Sequence, residues 1–157
     1  MRWVTREHAR VDRIACPWLI RKFVDKDAQF LYVPREKVLE VAQREGAIPF
    51  DTPGAELHHY EADGKEFVSF DAIIRKYHLR DPALLELAKI VRVADGGSGN
   101  EPEAAGLEAA ATGFWMMSHD DFENQRLQFP LYDALYTYCR WRVEQRNAPE
   151  NAGVPPR

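Results

Sequence analysis

The spacing of apolar residues divides the chain into a first half with short strands and a helical second half. Residues 3–5 and 29–33 are short apolar runs rich in β-branched and aromatic residues, which is typical of strands. Residues 47–50 (AIPF) predict an edge strand, because proline cannot pair in the centre of a sheet. Residues 56–62 (ELHHYEA) form a possible strand, and residues 63–66 (DGKE) carry a hairpin signal.

A helix is predicted around residues 19–24, where Leu19, Ile20, Phe23 and Val24 form one apolar stripe. Pro17 leaves two alternatives, because a proline deep in a helix loses the amide bond to Arg13. Either the helix begins at Pro17 with Cys16 as its N-cap, or it is kinked there.

Further helices are predicted along the rest of the chain. They run from Pro34 to about Arg44 and end at Gly46, from Phe70 to Tyr77 after a Ser69 cap, from Pro82 after an Asp81 cap, from Pro102 to about Met117, and from Pro130 to about Arg146. Leu131, Ala134, Leu135 and Tyr138 are predicted to form the core face of the last helix.

These elements predict an α+β fold, in which a small N-terminal mixed sheet packs against a mainly helical C-terminal half. The length of 157 residues suits one domain, which we assign to residues 1–147. Residues 148–157 (APENAGVPPR) contain three prolines and little that can be buried, so a flexible tail is expected.

Charge and composition exclude several classes of protein. The chain has 25 acidic and 21 basic residues and a net charge of -4, which argues against a nucleic-acid binder. No apolar run is long enough for a membrane span, and the N-terminus lacks the apolar stretch of a secretory signal. The two cysteines are too few for a disulfide scaffold. A cytoplasmic protein with free thiols is therefore expected.

The run from Asp12 to Arg21 holds the first candidate chemistry. If Cys16 caps a helix, the helix dipole would lower the pKa of its thiol and favour an oxyanion beside it. Arg13 and Arg21 could add positive charge at that end. In the alternative interpretation, Cys16 is a small buried apolar residue and Asp12 is a cap with an arginine partner.

The run Glu56-Leu57-His58-His59 holds the second candidate chemistry, since imidazole and carboxylate together suit zinc, iron or manganese. In a strand, Glu56 and His58 would share a face, whereas in a helical turn Glu56 would meet His59. Asp95 and Asp51 are candidates for a third ligand. The alternative is a pair of surface histidines beside an exposed hairpin.

Three other polar or aromatic runs have plainer interpretations. Residues 95–100 (DGGSGN) lack the Lys-Ser/Thr of a phosphate-binding loop, so a flexible connection between helices is expected. Residues 119–121 (HDD) are interpreted as the acidic cap of the next helix. Residues 115–117 (WMM) are interpreted as core.

Taken together, these runs resemble the C-terminal domain of the chromate-resistance ChrB family. The matching runs are WVTR (3–6), VDRIACPWLIRKFVD (11–25), AIPFD (47–51), ELHH (56–59), SFDAII (69–74), DPALLELAKIVRVAD (81–95), EAAGL (103–107) and YDALY (132–136). The likeness extends from about residue 2 to residue 138. Val68 stands where the family pattern often has a cysteine, which does not favour chemistry that needs two cysteines.

The resemblance implies a link to chromate resistance. Longer members of the family carry an additional N-terminal region that is linked to chromate-responsive transcriptional control, so the resemblance does not imply that regulatory role for this chain. It also favours a metal site over a pair of surface histidines, with Glu56, His59 and Asp95 as ligands of a divalent ion. Arg13 and Arg21 would face a small anionic ligand, with Asp12 orienting Arg13, and Cys16 stays a candidate catalytic residue. A metal-dependent enzyme of unknown reaction is expected, with an oxyanion sensor or an oligomerisation domain as alternatives.

A homodimer is also plausible from the sequence. Four aromatic residues of the last helix, which look exposed, could pack against a second copy: Tyr132, Tyr136, Tyr138 and Trp141.

Overall fold

The computed structural model describes residues 1–148 and 153–156. The strands are β1 (Arg2–Arg6), β2 (Gln29–Val33), β3 (Ile48–Pro49), β4 (Tyr60–Ala62) and β5 (Lys65–Phe67). The helices are α1 (Asp12–Leu19), α2 (Val38–Glu45), α3 (Ser69–Lys76), α4 (Pro82–Ala94), α5 (Glu103–Met117) and α6 (Asp121–Asn147). The predicted α+β class is confirmed. Part of the predicted tail (148–157) lies outside the described residues, so the tail stays a prediction.

The strands form two separate sheets rather than a single mixed one. β2, β1 and β3 lie side by side in that order, and both pairings are parallel. β4 and β5 form an antiparallel hairpin, as the DGKE run predicts. Parallel neighbours need a crossover between them, and the segment containing α1 provides it between β1 and β2.

Side chains of β1 alternate between two cores. Trp3 packs on one face in the large core, together with residues of α1, α3, α4 and α6. Val4 packs on the other face with Val38 and Val41 of α2. With helices on both faces, the carboxyl edge of the parallel sheet remains open for a site.

The order in which strands are added to the sheet reverses at β1. It runs from β1 to β2 on one side, and then returns to place β3 on the other side of β1. In open parallel sheets, ligands bind at the carboxyl ends of the strands where such a reversal occurs. Arg6, at the end of β1, and Asp51, shortly after β3, meet at this point: Arg6 Nη2 lies 3.3 Å from Asp51 Oδ2.

Pro17 lies inside α1, so the alternative in which a helix begins at Pro17 is wrong. The helix begins at Asp12, and a π-helical segment, Ile20–Val24, continues it. Because Pro17 has no amide hydrogen, the carbonyl of Arg13 lacks its usual helical donor. The hydroxyl of Tyr32 in β2 lies 3.3 Å from that carbonyl oxygen and 2.9 Å from Oε1 of Gln125. Its single proton is shared between the two acceptors, so it replaces the missing amide only in part.

α6 begins nine residues before Pro130, at Asp121, and holds that proline in its interior. Asp120 accepts a hydrogen bond from the amide of Glu123 at 2.8 Å, so the acidic run does form the cap, as predicted. The predicted core face is confirmed in part. Leu131 and Leu135 are half-buried and pack against the core, whereas Ala134 and Tyr138 are exposed. The buried positions in this half of the helix are Tyr132, Tyr136 and Cys139.

Exposure of the aromatic and methionine residues also differs from the expectation. Trp115, Met116 and Met117 are exposed at the end of α5 and are not core. Tyr132 and Tyr136 are buried within the chain, where both rings pack against Trp18. They are therefore not available to a second copy, which removes half of the sequence argument for a homodimer. Within the described residues, no helix is long and apolar enough to cross a membrane.

Candidate metal centre

Asp12 is buried at the start of α1 and points toward α3. Its carboxylate accepts hydrogen bonds from the amides of Ser69, at 2.9 Å, and Phe70, at 3.2 Å. The Cys16 thiol donates to it from one turn further along α1, at 3.4 Å. The cap of α3 is therefore Asp12 and not the predicted side chain of Ser69. The positive end of the α3 dipole favours the negative charge of Asp12.

Asp51 follows β3 in a left-handed backbone conformation, with φ of +50°. The Ser69 hydroxyl donates to its Oδ1 at 2.6 Å. Arg6 and Arg13 approach its Oδ2 at 3.3 and 3.4 Å. Non-glycine residues in this conformation are uncommon and concentrate at functional sites. Here the strained residue is the one on which a hydroxyl and two guanidinium groups converge.

His59 and Asp95 lie in two loops, and a backbone hydrogen bond connects the segments that follow them. His59 directly precedes β4, and Asp95 directly follows α4. The amide of Ser98 donates to the carbonyl of Glu66 in β5 at 2.9 Å. A Cβ at Gly97 would lie 3.0 Å from the same oxygen, so only glycine allows this close approach. The glycine run, expected to be a flexible connection, thus ties Asp95 to the hairpin that follows His59.

Three carboxylates converge on one nitrogen of His59. Its Nε2 lies 3.1 Å from Asp95, 3.2 Å from Asp51 and 3.6 Å from Asp12. The four candidate ligand atoms all lie within 4.8 Å of one another. One imidazole N–H can satisfy only one acceptor well, so three are more than it can serve. Ligand atoms about 2.0–2.2 Å from a tetrahedral cation would be about 3.3–3.6 Å apart, a spacing that this cluster approaches.

The electrostatics of the cluster favour a cation. Burial, reinforced by the charge of Asp95, raises the pKa of Asp12 to about 7. Hydrogen bonds to Asp12, Asp51 and Asp95 raise the pKa of His59 to about 12. Burial alone would raise the pKa of Asp51, but hydrogen bonds from His59 and Ser69 and the charge of Arg6 hold it below its ordinary value. The three carboxylates therefore keep the imidazole of His59 protonated, so a positive charge lies at the centre of the cluster.

The cluster lines a cavity of about 340 Å³. Its other polar walls combine three arginines, from the end of β1, the loop after it and the start of α1, with an acidic and a hydroxyl residue from α5. These residues are Arg6, Arg10, Arg13, Glu108 and Thr112. Cations and anions therefore meet different parts of the same cavity.

Of the three metal ligands expected from the sequence, the structure brings His59 and Asp95 together and leaves Glu56 outside the cluster. Residues 56–59 form neither a helical turn nor a full strand, because β4 begins only at Tyr60. The Glu56 side chain is 71% exposed and pairs with Lys76 of α3 at 2.8 Å. Asp51, the alternative third ligand, and Asp12 occupy the cluster in its place.

Arg13 lines the cavity, but Asp12 does not orient it as expected. Its Nη1 donates to the carbonyl of Glu7 at 2.7 Å, and its Nε faces Asp51. Burial lowers the pKa of Arg13 from its ordinary value. The segment after β1 and Asp51 therefore fix this guanidinium group.

Arg21 and Cys16 lie outside the cavity. Arg21 donates to the carbonyl of Ala28 at 2.9 Å and lies over the ring of Phe30, away from the cluster. Cys16 is buried inside α1 and is not an N-cap. Burial and the neighbouring charge of Asp12 raise the pKa of its thiol well above the ordinary value. The expected low-pKa thiolate is therefore wrong, and the alternative of a buried cysteine is what the structure shows.

Comparison with known proteins gives the family. Residues 3–139 match the protein family described as "ChrB, C-terminal domain". The chain belongs to this family. A ChrB relative, "Protein ChrB" of Cupriavidus metallidurans (strain ATCC 43123 / DSM 2839 / NBRC 102507 / CH34), is 36% identical over 138 residues. That alignment covers 87% of this chain and 40% of the relative, so the chain spans less than half of the relative's length. No solved structure matches the chain.

Sequence reasoning missed five residues of the site in this ChrB C-terminal domain: Arg6, Arg10, Ser69, Glu108 and Thr112. Ser69 was expected to be only a cap, whereas its hydroxyl and amide reach Asp51 and Asp12. Arg6 could have been found from its place at the end of a strand, since functional residues of parallel sheets gather at that edge. No sequence signal distinguishes Arg10 from other surface arginines.

Proposed function

We propose that this domain binds a divalent metal ion at Asp12, Asp51, His59 and Asp95, and that it acts on a small anionic ligand in the adjoining cavity. The observation that carries the proposal is the convergence of three carboxylates on His59 Nε2. Carboxylate oxygens and an imidazole nitrogen suit zinc, iron or manganese. When bound, such an ion lowers the pKa of a coordinated water and polarises ligand oxygens.

The chain's own residues supply two further functions in this proposal. Ser69, Arg6 and Arg13 fix the carboxylate of Asp51, so that one of its oxygens stays directed at the cluster. The arginine-lined wall supplies positive charge for the ligand, because a net charge of -4 for the whole chain does not attract anions. Chromate resistance, implied by the sequence resemblance, agrees with a small anionic ligand.

A second candidate is a non-catalytic sensor of oxyanions, which the three arginines of the cavity favour. A sensor would raise its melting temperature with sulfate or chromate and show no turnover. An enzyme would show turnover that depends on the metal and is lost in His59→Ala.

The metal proposal predicts a specific set of sensitive residues. Protein purified without a histidine tag is expected to bind about one equivalent of Mn²⁺ or Zn²⁺ by calorimetry and elemental analysis. His59→Ala and Asp51→Asn remove ligands, so each should lower the affinity by at least about 100-fold. Glu56→Gln and His119→Ala are matched controls at exposed positions and should leave it unchanged. No stoichiometric metal, or equal affinity in His59→Ala, would contradict the proposal.

A further inference from the structure

The three arginines of the cavity differ in what they contact. Arg6 and Arg13 both face Asp51. The guanidinium group of Arg10 is exposed at the cavity and makes no hydrogen bond or ion pair with any residue that the structure describes. Its backbone is nevertheless fixed, because Gln128 of α6 donates to its carbonyl at 3.3 Å. Arg10 is therefore the arginine of this wall that is free to bind a ligand.

The charges that line the cavity favour a ligand with a single negative charge. With a divalent ion bound and His59 neutral as its ligand, three arginines and the ion carry five positive charges. Four carboxylates oppose them: Asp12, Asp51, Asp95 and Glu108. The remainder is one positive charge, which a monoanion neutralises and a dianion such as sulfate exceeds.

The size of the cavity favours an organic ligand. A tetrahedral oxyanion displaces roughly two to three water molecules, or about 60–90 Å³ at about 30 Å³ each. The cavity of about 340 Å³ is several times larger and falls within the range of sites for small organic molecules. Glu108 and Thr112, one turn apart on α5, offer acceptors for uncharged polar groups of such a ligand, since the Thr112 hydroxyl donates its proton to the carbonyl of Glu108 at 2.8 Å and keeps only its lone pairs free.

We propose that the ligand is a small organic acid with one negative charge, and that Arg10 binds its acid group. This inference rests on the proposed function, because the bound cation sets the charge of the cavity. Arginine suits the role, since its planar fork can donate two parallel hydrogen bonds to a carboxylate. Arg10 thereby selects the ligand, whereas Arg6 and Arg13 stabilise the carboxylate of Asp51.

The test uses calorimetry on the full chain in the presence of Mn²⁺, with lactate as the organic monoanion and sulfate as the dianion. Lactate is expected to bind at least about tenfold more tightly than sulfate. Arg10→Gln should weaken lactate binding at least about tenfold, and Arg10→Lys, which keeps the charge but not the fork, should have a smaller effect. Arg80→Gln is the matched control, because Arg80 is exposed and does not line the cavity.

Two results would overturn the inference: sulfate binding as tightly as lactate, or equal lactate affinity in Arg10→Gln and Arg80→Gln. Mn²⁺ titration of the same variants separates this inference from the proposed function. Arg10 is not a metal ligand in the proposal, so Arg10→Gln should bind Mn²⁺ as the unsubstituted chain does. Absence of Mn²⁺ binding in the unsubstituted chain would contradict the proposed function and with it the charge argument of this inference. Normal Mn²⁺ binding together with equal lactate affinity in Arg10→Gln and Arg80→Gln would overturn this inference alone.

Discussion

Ser69 links two of the candidate ligands. Its amide donates to Asp12 and its hydroxyl donates to Asp51, at 2.9 and 2.6 Å. Both carboxylates are buried, and a buried carboxylate without hydrogen bonds would be costly. One residue at the start of α3 thus fixes the orientation of two side chains that come from distant parts of the chain.

Ser69→Ala should weaken metal binding more than it weakens the fold. The substitution keeps the amide that binds Asp12 but removes the hydroxyl that orients Asp51. Loss of such a partner typically lowers metal affinity by about 10- to 100-fold. Calorimetric titration with Zn²⁺ or Mn²⁺ measures this, and chemical denaturation of the metal-free protein checks stability.

Ser118→Ala is the control for this prediction, since that hydroxyl donates to the carbonyl of Phe114 at the end of α5 and forms no other hydrogen bond with the part of the chain that the structure describes. A metal affinity of Ser69→Ala equal to that of Ser118→Ala would show that Ser69 does not position a ligand. Ser69→Thr keeps a hydroxyl group and should restore much of the affinity.

At the scale of elements, α6 holds the segment that leads into α1. Asn124, Gln128 and Tyr132 follow one another at every fourth position of α6. Their side chains donate to three consecutive carbonyls, those of residues 9, 10 and 11. Asp121 accepts from the amides of residues 8 and 9 at the start of the same helix. The polar face of α6 therefore positions the segment that carries Arg10 and continues into Asp12.

Gln128→Leu tests this arrangement. Gln128 is fully buried and donates to both the Arg10 carbonyl and Asn124 Oδ1. The substitution leaves these acceptors without their donor, which should lower the free energy of unfolding by about 1–3 kcal/mol. Urea denaturation measures the change. Arg126→Leu, at an exposed position of the same helix, should change it by no more than about 0.5 kcal/mol; a similar loss in both variants would contradict the prediction.

At the scale of the whole molecule, an ion pair joins the C-terminal end of α6 to the middle of α4. Glu86 of α4 is buried, with 7% of its side chain exposed, and receives both terminal nitrogens of Arg146 from α6. Lys89 donates to it as well, at 2.6 Å. The hydrogen bonds from Arg146 contribute most to lowering the pKa of Glu86 to about 2.

This pKa predicts a loss of stability in acid. A carboxyl group whose pKa is lower in the folded state stabilises the fold above its ordinary pKa of 4.5, and the contribution disappears as the pH falls toward about 2. Glu86→Gln should therefore lower the free energy of unfolding at pH 7 by about 1–2 kcal/mol, a discounted figure because Arg146 is half exposed. The difference from the unsubstituted chain should shrink below pH 4.5.

Denaturation curves at several pH values measure this difference. Glu144→Gln is the control, because Glu144 is exposed and forms no ion pair with any described residue. A difference between the unsubstituted chain and Glu86→Gln that stays constant between pH 7 and pH 3 would contradict the assignment.

The sequence predicts local structure well where the signal is local. The apolar run 29–33 coincides with β2, and the Asp81-Pro82 pair marks the start of α4, because a strand pattern and a cap depend on neighbouring residues. α6 is different. Pro130 suggests a helix start, but the polar face before it is stabilised by carbonyls more than a hundred residues away in sequence. Such partners do not appear in a local pattern.

In the candidate site, too, the sequence indicates the types of residue but not the contacts between residues that are distant in the chain. Residue type and the family resemblance indicate Glu56, His59 and Asp95 alike. His59 and Asp95 do lie together, whereas Glu56 pairs with Lys76 outside the cluster. The sequence marks Asp12 only as a polar residue in a distinctive run. Its partners in α3 follow only from the packing of α1 against α3, which residue spacing does not contain.

The central position of β1 also constrains the order in which the protein folds. β1 is synthesised before both of its partners, β2 and β3, whose residues Phe30 and Ile48 lie opposite Trp3. Strand pairs that are distant in sequence form slowly, because a long loop must close before any contact stabilises it. On the ribosome, β1 can pair with β2 once residues 29–33 have emerged, but its other edge must wait unpaired until Ile48 follows. The four residues of the candidate metal centre can come together only once Asp95 has been synthesised, so the proposed cation site forms after all three strands of the parallel sheet have emerged.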